Sequence, residues 1–348
     1  MEILYVGVDM GKKNSQVYGF TEHGEVVVET RLQTLELEGW ESLFGELSRR
    51  YEVHVAYEAC PHYEWLHEVL SRYCGRVVMV NPADFAVISK SQKKTDKYDA
   101  QKLAEGVRRG DLPEVYVPPA QSRADRRLVS FVHCHSRQMS SKKTRLRSVL
   151  LSYRLECPCS DISSAKARRW FEREAVPRMD EQGQMMVRML LDELALMEKH
   201  RTELDTQVEK RLPHYGRDAA VLRSVPGFGA LTVLALISAI VDIGRFEKAK
   251  ELCAYFGACG RVYQSGNTLR LGPITKRGNK TVRWLLSQAL CQLHRMDARA
   301  RKRYQKKKKT KRTGIARGAQ VNWLVRIVFQ LLKKKESYRM PQRAKKVA

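Results

Sequence analysis

Acidic residues are nearly missing from the last quarter of this chain. Residues 261–348 hold two, Asp297 and Glu336, against 26 lysines and arginines, whereas the other 260 residues carry 38 basic and 36 acidic side chains. Almost all of the formal net charge of +26 therefore sits at one end. A near-neutral body with a cationic end points to a polyanion as partner. The densest stretch runs from Arg299 to Arg312. Such a run can simply be solvated surface, but here the basic density continues into apolar, fold-like sequence. The eight cysteines include no Cys-x-x-Cys pair. Cys157-Pro158-Cys159 and His133-Cys134-His135 could each bind metal in principle, but both lack a second half at zinc-ligand spacing, and the cysteines show no regular disulfide framework. Reduced thiols in a cytoplasmic protein are expected. No basic-then-apolar stretch opens the chain, so no signal peptide is expected. The longest apolar run, Leu231 to Val241, is broken by Thr232 and Ser238 and is too short to span a bilayer. No membrane partner is expected.

The 348 residues suffice for two or three domains. Residues 1–118 alternate strand and helix patterns, with strands expected at 3–9, 15–20, 25–31, 53–58 and 76–80 and helices at 36–50, 63–73 and 96–109. Short polar turns join the first three strands as an antiparallel meander. The later strands alternate with helices, which implies parallel additions to the same sheet. This is the layout of a ribonuclease H-like (RuvC-like) domain, and Pro118-Pro119 marks its end. Asp9 closes the apolar run Ile3 to Val8, and Glu58 closes Val53 to Tyr57. Asp96 and Asp99 open a helical stretch and share one face at i, i+3 spacing. Any one of these acids alone could be a solvated loop residue or a helix cap. Four that converge repel unless a divalent cation joins them, and an all-oxygen site suits Mg²⁺, or Mn²⁺. Two such ions can clamp the attacking and leaving oxygens of a phosphodiester.

Residues 119–217 read as long helices. Leu128, Val132, His135, Met139, Lys142, Leu146 and Val149 form one heptad-like stripe, and Leu190, Leu194, Met197, Leu204, Val208 and Leu212 form another. They suit either a helical hairpin or an intermolecular coiled coil. The first helix also carries Arg126, Arg127, Lys142, Lys143, Arg145 and Arg147, a candidate phosphate track. Residues 218–348 form a third, basic and mostly helical domain. Its Val225-Pro-Gly-Phe-Gly229 turn is either a helix-hairpin-helix contact with a DNA phosphate or an ordinary interhelix turn. The segment from Gly260 to Gly278 has no acids and offers Ser265 with Arg261, Arg270, Lys276 and Arg277 nearby in sequence. A serine attacking a phosphodiester would need such cations to neutralise the phosphate. Serine beside glycine is equally ordinary turn chemistry.

Four stretches resemble DEDD transposases of the IS110 insertion-sequence family, with its IS1111 subgroup. They are Gly7-Val-Asp-Met-Gly-Lys-Lys13, Tyr57-Glu-Ala-Cys60, Lys94-Thr-Asp-Lys-Tyr-Asp-Ala-Gln101, and a C-terminal block from Val225 through Ser265-Gly266 to Thr275-Lys-Arg-Gly278. The likeness covers essentially the whole chain, in the order RuvC-like domain, helical linker, transposase domain. Cys60-Pro-His after Glu58 departs from the small residues expected there.

The resemblance implies an RNA-guided recombinase. Asp9, Glu58, Asp96 and Asp99 would hold Mg²⁺, and Ser265 would form a covalent phosphoserine link to DNA. A guide (bridge) RNA would pair with donor and target DNA. The family's composite sites form between subunits of a dimer that pairs to a tetramer. Such a protein would be cytoplasmic and bound to the nucleoid when acting. Three rivals remain open at this point. One is a Holliday-junction resolvase using metal-activated water, and another is a non-catalytic protein binding structured RNA. The third is a sugar-kinase or actin-like ATPase, which would need a second glycine-rich loop and leaves the basic end unexplained.

Overall fold

The computed structural model describes residues 1–59, 64–82, 84–85, 96–265 and 268–340. The chain separates into two compact units, Met1–Val117 and Pro118–Ala348.

The first unit is built on a five-stranded sheet. Its strands are β1 (Glu2–Asp9), β2 (Asn14–Thr21), β3 (Val26–Gln33), β4 (Tyr51–Glu58) and β5 (Arg76–Val80), in the order β3-β2-β1-β4-β5. β1 to β3 form the expected meander, while β4 joins β1 and β5 joins β4 in parallel. The helices are α1 (Leu37–Arg50), α2 (Glu64–Tyr73) and α3 (Asp96–Arg109). Alternation along the strands sorts the two faces. Leu4, Val6 and Val8 of β1, with Val53, Val55 and Tyr57 of β4, pack against Trp40, Phe44 and Leu47 of α1 and Leu66, Val69 and Leu70 of α2. Each such buried side chain contributes about 1.5–3 kcal/mol. The opposite face, with Tyr5 and Ala56, lies under Ala100, Leu103, Ala104 and Val107 of α3. This mixed sheet is in keeping with a ribonuclease H-like domain.

The second unit is mostly helical. Its two long helices, α4 (Ala120–Ser152) and α6 (Glu181–Arg211), are joined through the short α5 (Ala165–Trp170) and a π-helical turn at Phe171–Ala175. They run antiparallel. Asp125 accepts from Arg211 at 2.6 Å, Ser136 from Arg201 at 2.6 Å, and Lys142 pairs with Glu193. Of the two arrangements that suited the stripes, the one present within this chain is a hairpin. One end closes on Leu146, Leu150, Ile162, Phe171, Val187, Leu190 and Leu194. At the other end Val129, Val132, Val208 and Leu212 enter the main core.

That core surrounds α8 (Ala230–Ile240), the former longest apolar run, which follows α7 (Gly216–Arg223). No helix among the described residues is long and apolar enough to cross a membrane. The carbonyl end of α8 lacks helical partners and needs donors. Arg126 donates to Ser238 O and Ala239 O at 2.8 and 2.9 Å, Arg245 to Ile240 O at 2.8 Å, and the Tyr255 hydroxyl to Ala239 O at 3.0 Å.

Next come α9 (Ala249–Tyr255), a two-stranded sheet of β6 (Gly260–Ser265) and β7 (Thr268–Ile274), and then α10 (Lys280–Met296), α11 (Ala298–Thr310) and α12 (Thr313–Lys334). The β6–β7 pair is an addition to the helices expected here. Its signal was the Gly266-Asn267 dipeptide between two short runs, a hairpin signature.

Asp297 is fully buried and caps α11, accepting from the backbone of Arg299 at 2.7 Å and of Ala300 at 3.2 Å. It also accepts from the Tyr338 hydroxyl at 2.6 Å and Arg299 at 3.1 Å, tying the C-terminal segment to the core. Burial alone would raise its pKa, yet these donors hold it below the usual carboxylate range. Asp297→Ala removes the α11 cap and strands the Tyr338 hydroxyl, and should cost about 2–4 kcal/mol, measured by urea unfolding. The folded pKa is the lower one, so this stabilisation is complete above the unfolded value, about 4, and fades as pH falls through the folded value. The gap between wild type and variant should therefore narrow in acid.

Candidate active site

The strand register determines where the acids lie. Gly7 pairs with Ala56 and Val8 with Tyr57, so Asp9 and Glu58 end adjacent central strands at the same edge of the sheet. Asp9 shares a face with Gly7 and Tyr5, and Glu58 shares one with Ala56; by alternation both are on the α3 side. Helix α3 runs away from that edge. Near its start Lys97 bonds Glu29 at 2.6 Å, and Glu29 is level with Tyr18 and Gly7 across the sheet. Near its end the Arg108 guanidinium lies 5.4 Å from the Phe20 ring centre, level with Tyr5. The helix start, carrying Asp96 and Asp99, is thus at the Asp9 and Glu58 end.

Asp99 is half-buried and receives Lys102 Nζ at 3.3 Å. Asp96 is the first residue of α3, and its side chain lies outside the described residues. Among the described residues no three ligating side chains are already gathered into a metal cluster. Asp9, Glu58 and Asp99, at two strand ends and one helix start, offer only carboxylate oxygens, the ligand type that a hard divalent cation takes.

Packing around this edge depends on residues besides the acids. A Cβ on Gly7 would sit 1.9 Å from Ala100 O and 2.6 Å from Ala104 N, so α3 rests directly on the β1 backbone. The turn after Asp9 is pinned by Thr34, which is fully buried. Its hydroxyl donates to Gly11 O at 2.8 Å and lies 2.8 Å from Ser15 Oγ, while Trp40 Nε1 donates to Thr34 O at 3.2 Å. Beside Glu58, the Tyr57 hydroxyl meets His67 Nδ1 at 3.1 Å, joining β4 to α2. Lys12, Lys13 and Asn14 line an open cleft beside this turn with Gln33, Leu35 and Glu36.

In the helical unit, Ser265 is the last residue of β6, opposite Thr268, at the turn end of the hairpin. The side chains of Ser265 and Arg270, and Gly266 and Asn267 altogether, lie outside the described residues. Arg261, Lys276 and Arg277 are exposed. The Lys276–Gly278 turn is held by Arg283, which donates to Phe256 O at 2.7 Å, Lys276 O at 2.8 Å and Arg277 O at 3.2 Å; burial lowers its pKa. A Cβ on Gly257 would lie 1.7 Å from Arg277 O, so this turn packs backbone to backbone.

The expected phosphate track on α4 divides. Arg126 serves the α8 carbonyls, Lys142 pairs with Glu193, and Lys143 bonds Asp161 at 2.9 Å. Arg127, Arg145 and Arg147 are exposed.

Two family models match the chain. Residues 6–155 match that of the IS110 DEDD transposases, and residues 219–305 match the transposase IS116/IS110/IS902 family. The chain is a DEDD transposase of the IS110 family. It is 26% identical to a probable family 20 transposase of Pseudomonas aeruginosa, over 97% of this chain and 99% of that protein. The transposase for insertion sequence element IS1111A of Coxiella burnetii is also 26% identical, over 97% and 92% of the two chains. That for element IS1328 of Yersinia enterocolitica is 24% identical over 82% of each. As an IS110-family transposase the protein is a DNA recombinase, with DNA as its substrate. The first match encloses Asp9, Glu58, Asp96 and Asp99, and the second encloses Ser265. DEDD transposase nuclease domains typically use a divalent metal.

Proposed function

We propose that this transposase is an RNA-guided recombinase that breaks and rejoins DNA through Ser265. The observation that carries the reading is the β1–β4 register, which sets Asp9 and Glu58 side by side at the end where α3 begins. Asp9, Glu58, Asp96 and Asp99 would hold Mg²⁺ or Mn²⁺, which supplies positive charge to the phosphodiester oxygens. The Ser265 hydroxyl attacks phosphorus, forming an Oγ–P bond to the 5′ side as the P–O3′ bond breaks. The proton lost from Oγ is balanced by the one gained on the departing 3′-oxygen. Arg261, Arg270, Lys276 and Arg277 neutralise the phosphate during the attack. The covalent link stores the bond energy needed for rejoining.

Donor and target choice falls to a guide RNA that pairs with both, while the protein holds backbones. The exposed cations Arg127, Arg145 and Arg147 of α4 support that role, as does the Val225–Gly229 turn ahead of α8, read as a helix-hairpin-helix-like phosphate contact. We take residues 119–217 as the coiled-coil linker of a dimer that pairs to a tetramer. Met185, Met189 and Leu196 support this, being exposed at i, i+4 and i+11 on α6.

The deciding experiment uses Ser265→Ala with nicked donor DNA. Wild type should yield a denaturant-stable protein–DNA adduct, and the variant none, while both retain one defined copurifying RNA species. Cleavage by the variant without an adduct would replace this mechanism with attack by water, as in a resolvase.

A further inference from the structure

Among the described residues, helix α11 carries a dense run of cations with no acidic partner. Arg301, Lys302, Lys306, Lys307, Lys308 and Lys309 are exposed, and none has an acidic partner among the described residues. Lys142 and Lys143 of α4, by contrast, each pair with an acid. One face of α11 is firmly seated. Ala300 is fully buried and its carbonyl accepts from Gln320 at 3.2 Å, Tyr304 stacks on His294 at 4.8 Å, and the Arg303 guanidinium lies 5.7 Å from the Trp323 ring centre. The remaining arc is cationic on three sides. At about 100° per residue, Arg301 and Lys308 stand on one flank, Lys306 on the other, and Lys302 and Lys309 along the crest. Like charges at i, i+4, such as Lys302 and Lys306, weaken an isolated helix. This ridge is therefore built to be completed by an external polyanion.

We propose that α11 clamps duplex DNA by lying in the major groove, its two flanks reaching phosphates of opposite strands. The choice of DNA rests on the transposase assignment; the choice of duplex rests on geometry. A helix with its side chains is about 10–12 Å across, close to the roughly 12 Å width of the B-form major groove. The deep, narrow major groove of A-form RNA does not admit it. Single strands are gripped by stacking bases on aromatics, and Tyr304, the one aromatic residue of α11, is turned inward onto His294.

The test measures binding of the full chain to a 30-base-pair DNA, the matching RNA duplex and single-stranded DNA, from low to moderate salt with chelator present. The variant carries Arg301→Gln, Lys302→Gln, Lys306→Gln, Lys308→Gln and Lys309→Gln. On duplex DNA the slope of log K against log salt should shrink by about 3–5, since each released phosphate contact contributes about 0.9. The slopes for the RNA duplex and the single strand should change by less than about 1. Melting should stay level or rise as self-repulsion is removed, which separates lost contacts from lost fold. An unchanged DNA slope would overturn the clamp, and an equal loss on the RNA duplex or single strand would overturn the groove geometry. Chelation stops cleavage, so failure here leaves the Ser265 mechanism untouched, and the adduct experiment leaves this one untouched.

Discussion

Asp9→Asn should leave DNA and RNA binding within about threefold of wild type while strand exchange falls by about a thousandfold or more. A bound cation contributes several kcal/mol of transition-state stabilisation, and each 1.36 kcal/mol is tenfold in rate. Asparagine keeps the size and one acceptor oxygen of aspartate but removes the charge that opposes the cation. Asp9 ends the central strand next to Glu58 and on the side where α3 starts, so the loss would fall on the metal site proposed there. The variant should also require much higher Mg²⁺ for residual activity. Normal turnover by Asp9→Asn would make the acids structural and end the metal-dependent reading.

Gly7→Ala should be the most damaging single methyl in the first unit. The added Cβ would meet Ala100 O at 1.9 Å and Ala104 N at 2.6 Å, both backbone atoms of a helix that cannot rotate aside. Relief requires α3 to lift from the sheet, with a cost of about 3 kcal/mol or more. The same displacement carries Asp96 and Asp99 away from Asp9 and Glu58, so activity should fall further than stability explains. Gly45→Ala is the matched control. Its Cβ meets only the Tyr73 ring, at 3.6 Å, within α1. Removing a helix-interior glycine should stabilise by about 0.5–1 kcal/mol. Urea unfolding of both variants, with the strand-exchange rate measured alongside, checks the opposite signs. A melting curve for Gly7→Ala equal to wild type would refute the close approach of α3.

Much of the first unit was legible without coordinates because its signals are local. Period-two runs ending in Asp9 and Glu58 mark strands, and the polar turns between the first three strands mark a meander, so the five strands fall within two residues of where they were expected. The fate of individual cations was not legible. Arg126 and its α4 neighbours share one composition, yet Arg126 is drawn inward by the carbonyl end of α8, 112 residues away, where it joins Arg245 and Tyr255 as a donor. Lys142 and Lys143 are likewise claimed by Glu193 and Asp161. The β6–β7 hairpin is hard to see in the sequence because two short strands compete poorly with the helical periodicity on either side.

By itself, then, the order of residues determined the alternation of strands and helices, the four acids at element ends, and the one-sided charge, since each follows from neighbours along the chain. Tertiary structure decided which acids share an edge, through the β1–β4 register, and which cations are claimed by an acid or a carbonyl, through contacts among distant helices. Both are questions of who faces whom, and a linear pattern carries no information about a partner a hundred residues away.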